Sequence, residues 1–224
     1  MATHYSPKIV TDGLVLCLDA ANSKSYISGS STWSDISGNG YNGTLVNGPT
    51  SNNFGLVLDG TNDYGYISHG GSLAFNSGNF TVCVWHRNEN SLTDYNGIIT
   101  NDSNGDNAWK IFKDGGQSFY KARSNATTLN FPSYVVGRFH HYAYTFNAGT
   151  LQLYFDAVAG NSTTGVSNPV SNTTVAFGSY RHEDAVNLAY LTNQTIGGVC
   201  LYNRALSASE ILQNYNALKG RFVL

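Results

Sequence analysis

Charge is scarce in this chain. Only 12% of its 224 residues are charged, 12 Lys and Arg against 14 Asp and Glu, about half the share of an average globular protein. The cations are scattered and the formal net charge is −2, so no basic field exists to hold nucleic acid or an anionic membrane surface. No apolar run approaches the roughly 20 residues of a membrane-crossing helix. The opening, MATHYSPKIVTDGLVLCL, has no basic segment followed by an uninterrupted apolar one, so export by the general secretory route is not expected.

Cysteine is also sparse. Cys17, Cys83 and Cys200 are an odd number, each inside an apolar stretch, and none has the close spacing of a zinc knuckle or redox pair. They read as buried thiols. Glutamate occurs only at 89, 183 and 210, which limits the paired carboxylates that glycoside hydrolysis requires. Gly-x-Ser-x-Gly, the nucleophile elbow of many hydrolases, does not occur.

What is present in quantity is Gly (24), Tyr (15) and Phe (11), with Asn, Ser and Thr in place of charge. Short apolar or alternating runs recur between turn signals: 13–19, 55–60, 79–87, 108–113, 138–146 and 151–157. This pattern predicts an all-β sandwich of antiparallel strands, one domain over residues 1–224. In FTVCVWHR, Phe80, Val82, Val84 and His86 fall on one face, and Thr81, Cys83, Trp85 and Arg87 on the other. Both faces carry large apolar groups, as a central strand requires. One helix is expected over 206–220, with Ser207 and Glu210 as a capping box, Ile211, Leu212, Tyr215 and Leu218 as its apolar stripe, and Gly220 as its end.

Several clusters invite a functional reading. NDSNGDN at 101–107 sets Asp102, Asn104 and Asp106 at alternate positions, the oxygen-rich spacing with which calcium loops begin. Gly105 then comes one place too early for an EF-hand, and Lys113 stands where the bidentate Glu belongs; a polar hairpin tip accounts for the same residues. Trp109 and Tyr180, each beside polar residues, are candidate platforms for stacking a sugar ring. His140 and His141 are adjacent on a strand, so they point to opposite faces and cannot share a metal; one packed and one exposed imidazole is the expectation. WSDISGNGYNGTL at 33–45 is dense in turn-formers, and reads as a tight corner, a binding loop or a metal loop.

Three segments together resemble a known family. WSDISGNGYNGTL, then LVLDGTNDYGYI at 56–67, then VCLYNRALSASEI at 199–211 resemble the laminin G-like domains of the concanavalin A-like jelly-roll superfamily. RFHHYAYTFNAGTLQLYFDA at 138–157 is similar to that family's hairpin, with Phe139 in place of its Trp and Ala157 in place of its Gly. The resemblance implies a jelly roll of two antiparallel sheets, a framework role for Trp33 and Asp35, and a calcium position near Asp59 and Asp63. It also implies an acidic residue where this chain has Gly198. The Glu-x-Asp-x-x-Glu strand of jelly-roll glycosidases is missing, so no enzymatic activity is expected and, calcium aside, no cofactor.

The N-terminal segment TDGLVLCLDAANSKSY is similar to bacteriophage structural proteins. A polar, Tyr-rich surface on a chain without an export signal fits a virus particle, made in the host cytoplasm and exposed after lysis. The resulting expectation is a decoration or cement protein on the outer surface of a virion, bound to the major capsid protein, as a homo-oligomer with a trimer favoured. The alternative is a carbohydrate-binding module of a phage tail or cell surface, recognising host glycan.

Overall fold

Alternation of apolar and polar residues writes most of the fold. The structure, a computed structural model, describes residues 8–89, 95–101, 107–170, 173–182 and 188–222, with only the backbone path for 180–182 and 188–190. One eight-stranded antiparallel sheet runs β14 (Val158–Thr163), β13 (Thr150–Phe155), β12 (Phe139–Asn147), β7 (Phe80–Asn88), β18 (Asn193–Tyr202), β5 (Leu56–Asp59), β4 (Thr50–Ser51), with β1 (Leu14–Asp19) also paired to β18. The second, also eight-stranded, runs β11 (Thr127–Ser133), β10 (Phe119–Ser124), β9 (Trp109–Lys113), β8 (Asn96–Thr100), β15 (Thr174–Phe177), β6 (Tyr64–Ser68), β3 (Gly43–Val46), β2 (Thr32–Trp33). A hairpin of β16 (Ser179–His182) and β17 (Leu188–Leu191) stands apart, and α1 (Ala208–Phe222) closes the chain.

The core lies between the two sheets. Phe80, Val82 and Val84 of β7 meet Trp109, Ile111, Val175 and Phe177 of the second sheet in one continuous apolar cluster. The other face of β7 is covered as well: Cys83 packs with Tyr202 and Ile211, and Trp85 with Phe139 and Phe222. β7 is therefore central, flanked by β12 and β18. Cys17, Cys83 and Cys200 are all free and buried.

The turn-rich segment at 33–45 is a framework corner. Asp35 accepts hydrogen bonds at Oδ1 from the backbone N–H groups of Cys17 and Ser37, and at Oδ2 from the Ser37 hydroxyl and the Tyr41 N–H. Asn39 donates to the Leu14 and Val15 carbonyls, which ties the corner to β1. Trp33 is fully buried against Phe177, with ring centroids 5.6 Å apart. These residues are used up in building the corner.

The helix departs from the expectation at its far end. The Ser207 N–H donates to Glu210 Oε2 and the Glu210 N–H to Ser207 Oγ, so the capping box forms. Gly220 does not end the helix, which continues to Phe222. The reason is tertiary: the Phe222 ring stacks on Trp85 at 4.7 Å and lies over Gly197, where any Cβ would meet the ring at 2.5 Å. Leu212, assigned to the apolar stripe, is 47% exposed, and Asn214 is buried in its stead. Asn214 Oδ1 accepts from the Val10 N–H and its Nδ2 donates to the Tyr202 hydroxyl.

The histidine pair is also corrected. His140 and His141 do point to opposite faces, yet both are buried, at 5% and 1% exposure. The helix covers the face that was expected to be open, and Tyr215 packs against His141 there. On the opposite face the Val135 N–H donates to His140 Nε2, which leaves the proton on Nδ1 to be donated to Asp156 Oδ2 at 2.8 Å. Among the described residues, no helix is long and apolar enough to cross a membrane.

Candidate functional site

Residues directly opposite one another in a sheet share a face. The registers Thr128↔Arg123, Arg123↔Lys110, Lys110↔Thr100, Thr100↔Ala176, Ala176↔Tyr66, Tyr66↔Thr44 and Thr44↔Thr32 therefore draw one straight row across the second sheet. The residues between them, among them Trp109, Ile111, Val175 and Ile67, belong to the core. The row consequently lies on the outer face, turned away from the first sheet. It is mostly hydroxyl-bearing, with a tyrosine toward one end and two cations toward the other.

Tyr64 and Tyr66 sit two residues apart on β6, so both point outward, and their rings stack with centroids 6.3 Å apart and planes inclined by 26°. Tyr64 is buried and Tyr66 half-buried, with Thr44 and Ser68 exposed beside them. Burial, then the neighbouring Tyr66, pushes the Tyr64 phenol up, so it stays a neutral hydroxyl. Across the face, the Lys110 Nζ and the Arg123 guanidinium carbon each lie 4.8 Å from the centroid of the Phe112 ring. Lys121 pairs with Asp114, and Arg123 Nε donates to Thr128 Oγ1.

The middle of the face is covered. The outward hydroxyl of Thr100 donates to the Ser179 carbonyl, so the chain passes over β8 as it leaves β15. Thr100 and Phe112 are fully buried there and Lys110 is 1% exposed. The departure depends on Gly178, whose φ is +78°, a backbone conformation that strains any L side chain, and where a Cβ would come within 2.2 Å of Leu58 Cδ1. Tyr180 follows on β16, which brings its backbone to this face; its side chain lies outside the described residues.

Trp109 does not serve as a platform. It is 0% exposed, packed on Phe75 and Phe80, and its Nε1–H donates to the Leu73 carbonyl. Its neighbour Lys110 takes the outward position, because a strand gives alternate residues to alternate faces.

Asp59 and Asp63 do come together, in the turn that leads into Tyr64. Asp63 Oδ2 accepts from the Asp59 N–H at 3.2 Å, while Asp59 Oδ1 accepts from the N–H groups of Thr61 and Asn62. The Thr61 N–H holds the Asp59 carboxyl below its ordinary value, whereas burial raises that of Asp63. The residue opposite Asp59 on β18 is Asn193; Gly198 pairs instead with Asp19 and Trp85, well along the strand. No group of three or more His, Cys, Asp or Glu able to hold a metal occurs among the described residues. Asp102, Asn104 and Asp106 lie outside the described residues.

A family model described as the concanavalin A-like lectin/glucanases superfamily matches residues 59–212. The chain belongs to that superfamily. Solved structures give the same fold for this lectin/glucanase-type chain. A Trypanosoma rangeli sialidase in complex with 2,3-difluorosialic acid superposes with a TM-score of 0.73 at 16% identity, over 100% of this chain and 37% of the sialidase. The binding domain of botulinum neurotoxin DC, in complex with SialylT, gives 0.69 at 17% identity over 93% of this chain and 52% of the other. The botulinum neurotoxin serotype D binding domain gives 0.67 at 16%, over 92% and 52%. The jelly roll thus spans about a third to a half of those longer chains. No curated protein matches the chain significantly in sequence.

Tyr64, Tyr66, Lys110, Lys121 and Arg123, which share this outer face, were not singled out by the sequence. Alternation carries the signal: Tyr-Gly-Tyr at 64–66 and Lys-Ala-Arg at 121–123 each put two polar or aromatic groups on one face with a small residue between them.

Proposed function

We propose that this domain is a non-enzymatic glycan-recognition module that binds sugar on the outer face of the second sheet. The observation that carries the reading is the stacked Tyr64–Tyr66 pair set among outward threonine and serine hydroxyls. Aromatic faces pack against the apolar face of a sugar ring, and fixed hydroxyls orient it. Membership of a lectin/glucanase superfamily supports the reading, as does a neurotoxin binding domain of the same fold solved with SialylT.

The described carboxylates support a binding role over hydrolysis. Glu89 is tied to Arg87 and Thr195, Glu210 to Ser207 and Arg204, Asp156 to His140, Asp19 to Arg221, and Asp114 to Lys121. Asp35, Asp59 and Asp63 hold turns, and Asp12 pairs with Arg204. Each is engaged in framework contacts rather than paired across an open cleft.

The test is a glycan array probed with the purified protein, followed by titration of the best ligand. Tyr66→Ala should weaken binding about tenfold or more, the loss of one stacking platform, with the melting temperature retained. Absence of binding at millimolar sugar, or unchanged affinity in Tyr66→Ala, counts against this face. Repeating the titration with a chelator decides on calcium: unchanged affinity leaves the Asp59–Asp63 turn a framework element, and lost affinity assigns it a calcium-dependent role.

One observation favours a second reading, that of a virion decoration protein seated on a capsid protein as an oligomer. β14 forms an edge of the first sheet, exposed along most of its length, with Val158 71% exposed at its start. Such an edge can add a partner strand. Gold-labelled antibody over particle shells would favour this reading, and label on tails or cell surfaces would favour the glycan module.

A further inference from the structure

Cys17, Cys200 and Cys83 lie side by side on three neighbouring strands, β1, β18 and β7, with Cys200 directly opposite both of the others. Their side chains gather on the helix-covered face of the first sheet, together with Tyr202 and Ile211. Glycan binding on the second sheet makes no use of them. All three are free, and the Cys200 S–H donates to Cys17 Sγ at 3.7 Å.

The backbone hydrogen bonds decide which pair is the closer. In an antiparallel ladder, alternate pairs either exchange both backbone bonds or turn them away from each other, and the second kind brings the Cα atoms to about 4.5 Å with the side chains nearer together. Cys17 is of the second kind: its N–H donates to Asp35 Oδ1 and its carbonyl accepts from the Ile36 N–H, both in the 33–45 corner rather than in β18. Asp19, two residues on, behaves likewise, its N–H donating to Ser25 Oγ. Cys200 therefore turns its backbone groups toward β7, which makes Cys83 and Cys200 the wider pair, about 5.5 Å between Cα atoms. A disulfide spans Cα separations of about 4.4–6.8 Å, so Cys17 and Cys200, their sulfurs already in contact, can be joined with the strands in place.

We propose that Cys17 and Cys200 are an oxidation site, at which hydrogen peroxide joins β1 to β18 through a cross-strand disulfide. One thiol takes an oxygen atom from the peroxide and becomes a sulfenic acid, releasing water; the other attacks its sulfur, so that an S–S bond forms, the second S–H bond breaks and a second water leaves. The peroxide is reduced by the two electrons that the sulfurs give up. A cavity of about 180 Å³ bordered by all three cysteines gives so small an oxidant room beside them. Cys200 is raised by its contact with Cys17 and by burial, and burial pushes Cys83 up to about 12; neutral thiols react slowly, which sets the rate and not the pairing. The cross-link has leverage because, among the described strands, β1 pairs with β18 alone. Cys200 follows Cys17 by 183 residues, and closing so long a loop takes much freedom from the unfolded chain.

The test treats the native protein with hydrogen peroxide, unfolds it in iodoacetamide and maps the peptides. Free thiols should fall from three to one, with Cys17 and Cys200 in one linked pair of peptides and Cys83 alkylated. The oxidised protein should melt about 5 °C or more higher, a gain that dithiothreitol reverses. Cys83→Ala should keep the cross-link and the gain, while Cys17→Ala loses both; the peptide map of the unaltered protein stands whether or not the variants fold. The proposal is overturned if all three thiols survive the peroxide, if Cys83 is linked to Cys200 instead, if sulfinic acid forms in place of the disulfide, or if the cross-link lowers the melting temperature.

Discussion

Ala157 adopts a φ of +66°, directly after Asp156 at +49°. Left-handed backbone costs an L-residue about 1 kcal/mol, and glycine is the residue the family resemblance places at 157. Ala157→Gly should therefore stabilise the protein by about 0.5 kcal/mol, net of the greater freedom glycine gives the unfolded chain; a melting curve checks this, and a lower melting temperature would show that the methyl group's packing outweighs the strain. The buried histidines carry a second residue-scale consequence. Burial lowers His86 to about 3, and His69 and His141 to about 4, from an ordinary 6.5. Between about pH 6.5 and these values the unfolded chain binds more protons than the folded one, so stability falls as the pH drops through that window. Glu210, held down to about 2 chiefly by Arg204, extends the loss below its ordinary 4.5. Thermal melts should show a falling melting temperature from pH 7 to pH 4; a flat profile would contradict the burial of these imidazoles.

At the scale of elements, local chemistry was legible and tertiary chemistry was not. The capping box at Ser207 and Glu210 could be read because its partners are three residues apart. The helix end could not, because Phe222 is held by Trp85 and Phe139 from distant strands. Gly220 consequently sits inside the helix, with nothing within 4 Å of where its Cβ would be. Gly220→Ala should raise stability by about 0.5–1 kcal/mol, read as a higher denaturation midpoint at unchanged slope; a lower midpoint would mean that the helix does end at Gly220. The strands show the same division. Alternation marked β7 and β12, whereas short pieces such as β2, β4 and β16 carry too few residues for a period and exist only through their pairing partners.

For the whole molecule, the two-sheet sandwich followed from strand patterns and from three family-like segments, while the site did not. Which side of β9 faces outward depends on the strands that pair with it, so Trp109, suggested as an exposed platform by the polar loop before it, is buried, and Lys110 takes the outward position. The outer face becomes visible only when Arg123, Lys110, Ala176, Tyr66 and Thr44 are placed in register across strands far apart in sequence. The central claim is that this face recognises glycan. Its most direct test is titration of the isotope-labelled protein with the best array glycan, following each backbone amide by nuclear magnetic resonance. The account predicts saturable shifts concentrated at Thr44, Tyr64, Tyr66, Ser68 and Thr174, lost in Tyr66→Ala; shifts confined to the first sheet or to the edge at β14, with this face silent, would contradict it.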